Sequence, residues 1–372
     1  MVAQNTGKVR VCLWKPALSK GAQKFQVKEK GSFGLSLWEV CGRFQVQQVG
    51  ILGKRCSSNI EGKNITPVSE FHLLGLSEVP ELQPVLFGLF LSMHLVTVLG
   101  NLLIILAISC DSHLHTPMYF FLYSLTLADI CFISTTVPNL ILVIQIHSRV
   151  ISCVGCLMQM SIYIIFGSMD DMLLTVMAYD RFVAICHPLH YPVIMNTRVC
   201  VFLIFLSLLV SILNSKLHNL LALQFNNFKG AEISNFFCDP SHVFNLICSD
   251  TFSKNIVKYT AGVIFGFFPI SGIILSYYKI ISSIQKTSPT GGKYIAFSTC
   301  GSHLSVVCLF YGTSIGVYLG SGIQQSPREV LVASVIHIVV NPMLNPFIYC
   351  LRNRDIKCAL RRIYRRTIHL RV

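Results

Sequence analysis

Met177-Ala178-Tyr179-Asp180-Arg181-Phe182-Val183-Ala184-Ile185-Cys186-His187-Pro188-Leu189-His190-Tyr191 decides how this chain is read. An apolar run from Cys156 leads into it and ends in an acid beside an arginine. Neither charge is comfortable in hydrocarbon, so the pair belongs at a membrane–water boundary. An Asp-Arg pair can also simply end a helix. The two residues do not discriminate alone, and the rest of the chain has to decide.

The composition is that of a membrane protein. Of 372 residues, 53% are hydrophobic and 12% charged, with mean hydropathy +0.61, against about 25% charged in a soluble domain. The net charge of +14 is concentrated at the ends. Residues 1–63 carry eleven Lys/Arg against three Glu, and residues 352–372 carry eight Lys/Arg against Asp355, so the 288 residues between sum to −1. Two basic tails on a nearly neutral body do not argue for a nucleic-acid partner. Fifteen cysteines lie mostly inside apolar runs, where a thiol is a small hydrophobe. Cys153-Val154-Gly155-Cys156 has no second pair at zinc-ribbon distance. Pro188 breaks any helix that could present both His187 and His190 to a metal. Neither metal nor cofactor is expected, and the two histidines read as interfacial packing.

Seven apolar runs follow a polar, Lys-, Gln-, Gly- and Ser-rich start that is expected to be disordered. They cover about Pro84–Ser109, Pro117–Ile144, Gly155–Tyr179, Val199–Leu221, Val257–Ile284, Ile295–Leu319 and Val330–Leu351. Each is long enough to cross roughly 30 Å of hydrocarbon as a helix. The alternation of a barrel strand is missing. The expected architecture is an all-α bundle of seven transmembrane helices over residues 64–351. A basic extension precedes it at 1–63, and a basic tail follows at 352–372. Loops after even-numbered spans are near neutral. The other side carries His113, His115, Arg181, Arg198, Lys279, Lys286, Lys293 and the tail. Positive-inside then puts the C-terminus in the cytoplasm and the N-terminus outside. The basic extension opposes this, but long segments obey the rule poorly. Asn64-Ile65-Thr66 precedes the first span, a position that suits a glycan.

Polar groups inside the spans are candidates for function. Asn101 puts an amide in mid-membrane that must bond to another helix. Asp129 in the second span and Asn345 in the seventh stand at similar depth, which suggests one buried network. Pro346 frees a carbonyl one turn earlier and offers a bend. Asp170 and Asp171 add two acids, and Asp170 shares a face with Arg181 three turns on.

These stretches together resemble the olfactory receptors, a family of G-protein-coupled receptors. The opening stretch resembles the end of their third transmembrane helix, Leu114–Leu122 their first cytoplasmic loop, and Lys293–Leu304 the start of their sixth helix, with Ile295 where a lysine is usual. Gly100-Asn101, Ser276-Tyr277, Phe310-Tyr311-Gly312 and Pro342–Tyr349 match as well. The wording Met169–Leu174 and His147–Ser152 looks most like family 7. The resemblance covers roughly residues 65–365.

It implies a plasma-membrane receptor that binds a small apolar volatile and activates a stimulatory G protein, raising cyclic AMP. It implies pocket positions Tyr163, Ile164, Gly167, Ser168, Ala261, Phe265, Tyr311, Ser314, Ile315 and Tyr318. Activation and coupling would rest on Asp180, Arg181, Tyr277, Asn345, Pro346 and Tyr349. Asp129 and Asp170 would face each other and recruit a sodium ion. Cys156 would pair with Cys238. Arg354–Arg366, with Ile356, Leu360, Ile363 and Tyr364 along one side, reads as an amphipathic helix on an anionic inner leaflet.

Two departures stand out. The family's third loop cysteine falls at Phe228, which leaves Cys248 unpaired unless Cys153 substitutes. The 1–63 extension is longer than the usual N-terminus. A non-signalling relative is therefore the main alternative. A transporter lacks its inverted repeat here, and an intramembrane enzyme lacks two acids on one helix face.

Overall fold

The computed structural model describes residues 70–74, 79–146, 149–224, 231–246, 251–287, 290–320 and 327–369. The extension, Asn64, Phe228 and Cys248 lie outside the described residues.

Among the described residues, seven helices are long and apolar enough to cross a membrane. They are α1 (Gln83–Cys110), α2 (Pro117–Ile146), α3 (Cys153–Cys186), α4 (Thr197–Gln224), α5, α6 (Thr290–Gly320) and α7. The fifth, α5, is built from Thr251–Gly262, a π-helical turn Val263–Phe267, and Phe268–Thr287. The seventh, α7, is built likewise from Pro327–Val335, a π-helical turn Ile336–Val340, and Asn341–Arg352. An eighth helix, α8, spans Arg354–His369. The expected seven-helix bundle is present.

Its helices outrun the apolar runs, because helical hydrogen bonding continues into polar ends that hydropathy does not count. The largest correction is in α3. The helix does not stop at Tyr179 but runs on to Cys186, so Asp180 and Arg181 sit within it. At its start the Ser152 hydroxyl accepts from the Gly155 N–H at 3.1 Å, a side-chain N-cap.

Burial ranks the helices. In α3, 72% of the membrane window is buried, against 11% in α5. The former is the axis of the bundle and the latter a rim helix whose Tyr259, Phe267 and Phe268 face outward. Gly100 permits a close crossing of α1 and α7: a Cβ there would stand 2.9 Å from Pro346 Cβ.

The expected outer end carries a small sheet. Strand β1 (Glu70–Leu73) pairs antiparallel with β2 (Val150–Ser152) and parallel with β3 (Glu232–Ile233). Phe71 and Leu73 point inward and are buried. The loop bearing β3 is fixed twice more. Cys238 is disulfide-bonded to Cys156 in the first turn of α3, and Asn235 Nδ2 donates to Ser334 Oγ of α7 at 3.1 Å.

At the other end, α8 is amphipathic as expected, but its apolar side is turned to the bundle. Ile356 is fully buried, and Leu360 and Ile363 pack against the core. The apolar side therefore faces protein, and Tyr364 stands 69% exposed beside it. Arg362 also pairs with Asp111 at 2.7 Å, which ties α8 to the loop after α1.

Candidate functional site

The half of α3 nearer the three-stranded sheet presents the first group of candidate residues. Tyr163 is buried between Phe132 of α2 and Phe237, at ring separations of 5.3 and 5.2 Å. Ile164 is buried, and Gly167 lies against Phe132. The Ser168 hydroxyl accepts from Asn214 Nδ2 of α4 at 3.0 Å. From α6, the Tyr311 hydroxyl donates to Asp171 Oδ1, and the Ser314 hydroxyl returns to the Phe310 carbonyl at 2.8 Å. Asp171 thus ties Tyr311 of α6 to α3. Ala261 and Phe265 lie in the first half of α5, Phe265 within its π-helical turn. Ile315 is 50% exposed. The Tyr318 side chain lies outside the described residues.

One level deeper, Asp129, Asp170, Phe310, His337, Asn341 and Asn345 line a cavity of about 20 Å³. That is room for about one water or small ion. Asn345 Nδ2 donates to both oxygens of Asp129 at 3.1 and 3.2 Å, so the expected link between α2 and α7 is made. Asp129 and Asp170 face the same cavity, as expected. Asp170 Oδ1 is buried with no hydrogen-bond partner among the described residues. Asn101 departs from expectation. Its amide donates to the Thr97 carbonyl at 3.1 Å, back along its own helix rather than to another. A side-chain donor four residues on reaches such a carbonyl without any neighbouring helix.

At the end of the bundle away from the sheet Asp180 and Arg181 are buried, 2% and 5% exposed. Asp180 Oδ1 accepts from the Tyr191 hydroxyl at 2.9 Å. Arg181 lies near enough to Tyr277, His303 and Tyr349 to act on them electrostatically. His303 is the knot of this region. Its Nε2 meets the Leu174 carbonyl of α3 at 3.1 Å, and its Nδ1 meets the Tyr277 hydroxyl of α5 at 2.7 Å. A carbonyl only accepts, so Nε2 carries a proton. Three helices are joined through one imidazole. Beside them, Lys279 Nζ lies 5.3 Å from the Phe182 ring centre, and His187 packs edge-on against the same ring at 5.5 Å. Beyond α3, Leu189 and Val193 are 89% and 73% exposed, an apolar patch on the loop that carries Tyr191.

His303, Asp171, Tyr191 and Asn214 were not assigned these contacts from sequence, although each stands in or beside an apolar run. A polar residue in such a run signals a buried partner, but not which helix supplies it. His337 and Asn341 escaped in the same way. Both meet Thr313 Oγ1 of α6, at 3.0 and 2.6 Å.

Comparison with known proteins fits this arrangement. A family model described as olfactory receptor matches residues 90–367. Olfactory receptor 7E178 of Mus musculus is 64% identical over 313 residues, covering 84% of this chain and 95% of the mouse protein. Olfactory receptor 7E24 of Homo sapiens is 66% identical over 315 residues, covering 85% and 93%. Among solved structures, squid rhodopsin superposes with a TM-score of 0.62 at 17% identity, over 78% of this chain and 88% of that one, which speaks for the fold alone. The chain belongs to the olfactory receptor family, in its family 7 branch, and is a multi-pass G-protein-coupled receptor of the plasma membrane rather than an enzyme.

Proposed function

We propose that this receptor binds a small, mostly apolar odorant in the outer half of the bundle and couples to a stimulatory G protein that raises cyclic AMP. In this reading the N-terminus and the three-stranded sheet face outward, and α8 and the 352–372 tail face the cytoplasm. The pocket walls are Tyr163, Ile164, Gly167 and Ser168 of α3, Ala261 and Phe265 of α5, and Tyr311, Ser314, Ile315 and Tyr318 of α6.

The observation that carries the reading is the ladder of polar links from α3. Asp171 holds Tyr311 of α6 beside the pocket walls. One turn inward, the Leu174 carbonyl holds His303 of the same α6. Asp180 and Arg181 lie at the inner end. A ligand wedged beside Tyr311 biases how α6 sits on α3, and the same two helices frame the G-protein face. Ligand binding then shifts a two-state equilibrium. Arg181, Tyr277, Asn345, Pro346 and Tyr349 rearrange with it, and exposed Leu189 and Val193 offer the G protein an apolar foothold.

A sodium ion in the cavity between Asp129 and Asp170 would hold the resting state, since two facing carboxylates favour a cation. If Asp129→Asn leaves signalling unchanged in sodium-free and sodium-rich buffer, that part of the reading is wrong.

The test of the whole is surface display with cyclic AMP response to pooled odorants, comparing the full chain with Arg181→Ala and Phe228→Cys. A response lost in Arg181→Ala supports the assignment. Rescue of surface display by Phe228→Cys identifies a receptor limited by its missing loop cysteine. Silence of all three at the surface counts against coupling to this G protein.

A further inference from the structure

The hydroxyl groups around the proposed pocket are not equally committed. Serines and threonines in the spans mostly donate back to a carbonyl three or four residues earlier, as Thr97, Ser161, Ser207, Ser276 and Thr313 do. Among the pocket candidates, Ser314 spends its proton on Phe310 in this way, and Tyr311 spends its proton on Asp171. Ser168 is different. Its oxygen receives a proton from Asn214 Nδ2, and its own proton has no acceptor among the described residues. A hydroxyl has one proton and two lone pairs, so the Asn214 bond occupies one lone pair and leaves the proton to be directed. Ser168 is partly exposed, between buried Ile164 and buried Asp171 on α3.

We propose that Ser168, held by Asn214, is the hydrogen-bond donor of the odorant pocket, and that the receptor selects apolar ligands carrying an acceptor oxygen, such as a ketone, ester or ether. This rests on the pocket placement proposed above. The apolar walls supply most of the binding free energy, and the single donor sets orientation and discrimination. A hydrocarbon of the same skeleton fills the same volume but leaves the Ser168 proton without a partner. Losing one such bond corresponds to about ten-fold in affinity. Asn214 is a positioning residue: without it, the Ser168 hydroxyl is free to turn back to the Ile164 carbonyl four residues earlier, as other helix serines do.

The experiment is ligand-induced thermal stabilisation of the purified full-length receptor, which does not depend on the choice of G protein and yields affinities by linkage. The probes are straight-chain and cyclic ketones and esters, each paired with the hydrocarbon of the same skeleton. The wild-type chain should bind the oxygenated member of a pair about ten-fold more tightly. Ser168→Ala and Asn214→Leu should each bring the ratio close to one while leaving hydrocarbon affinity in place. A lost fold would lower both affinities together and is thereby told apart. Gly167→Val adds bulk to the same wall and should weaken both members of every pair. If Gly167→Val weakens neither, the pocket is elsewhere. If it weakens both while Ser168→Ala keeps the ratio, the pocket stands and the donor assignment is wrong. A wild-type chain that binds the hydrocarbons as well as their ketones, or binds none of the set, also overturns the proposal.

Discussion

Gly100→Ala tests the packing on which the inner polar links depend. A methyl group at Gly100 would stand 2.9 Å from Pro346 Cβ and 3.2 Å from Pro346 Cγ. Ordinary carbon contacts lie at about 3.5–4.0 Å. Both atoms belong to a proline ring that cannot swing aside, so α1 and α7 must part by roughly half an ångström or more. Overpacking of this kind costs about 1–3 kcal/mol. Alanine also returns up to about 1 kcal/mol of helix propensity over glycine, which obscures the clash if Gly100→Ala is measured alone. Gly88 on the same helix supplies the control, because a Cβ there meets nothing within 4 Å. Gly88→Ala carries the propensity gain without the clash. The stability difference between the two variants therefore isolates the clash, at about 1–3 kcal/mol, or roughly 2–6 °C in Tm. The assay is thermal unfolding of each purified variant, with surface display read in parallel. Pro346 follows Asn345, whose amide holds Asp129, so Gly100→Ala should also blunt any ligand response at matched surface level. A Gly100→Ala chain as stable as Gly88→Ala would refute the reasoning and show that α1 and α7 are not locked at this crossing.

Tyr311→Phe takes the donor from Asp171, whose other oxygen already lacks a partner among the described residues. A loss of about 1–3 kcal/mol and raised basal cyclic AMP are expected, and an unchanged Tm with unchanged basal signal would mean the link between α3 and α6 is idle. His303→Leu removes the imidazole that joins α3, α5 and α6 and leaves the Leu174 carbonyl and the Tyr277 hydroxyl without that partner. It should alter basal signalling more than His187→Leu, whose ring makes an edge contact with Phe182; equal effects would deny His303 its special place. Cys238→Ser opens the bond to Cys156 that closes a loop of separation 82. It should cost about 2–5 kcal/mol and abolish surface display, and normal display would show that the sheet holds the outer loops alone. Arg362→Ala, at a half-exposed ion pair with Asp111, should shift stability by no more than about 1 kcal/mol, read as a small change in Tm.

The seven spans, their order and the membrane class were legible because hydrocarbon permits few spanning structures, and helices reveal themselves as long apolar runs. The family was legible in short motifs at the helix ends. Cys156 could be paired with Cys238 only through the resemblance, whereas similar depth in two spans already suggested that Asp129 and Asn345 share a network. Spacing along the chain says which face a residue shares, not which helix lies opposite.

That second question is where the tertiary structure decided. Asn101 is polar and mid-membrane like Asp129, yet it bonds within its own helix, because a carbonyl four residues earlier is always within reach. Helix α3 passes beyond Tyr179 because backbone bonding, not hydropathy, sets its end. The side-chain partners of His303, Asp171 and Ser168 come from α5, α6 and α4, dozens of residues away in sequence. The sequence by itself determined that these polar groups must find partners in lipid. Only the packing of helix on helix, through crossings such as Gly100 on Pro346, determined which partners came within the three ångströms that a hydrogen bond requires.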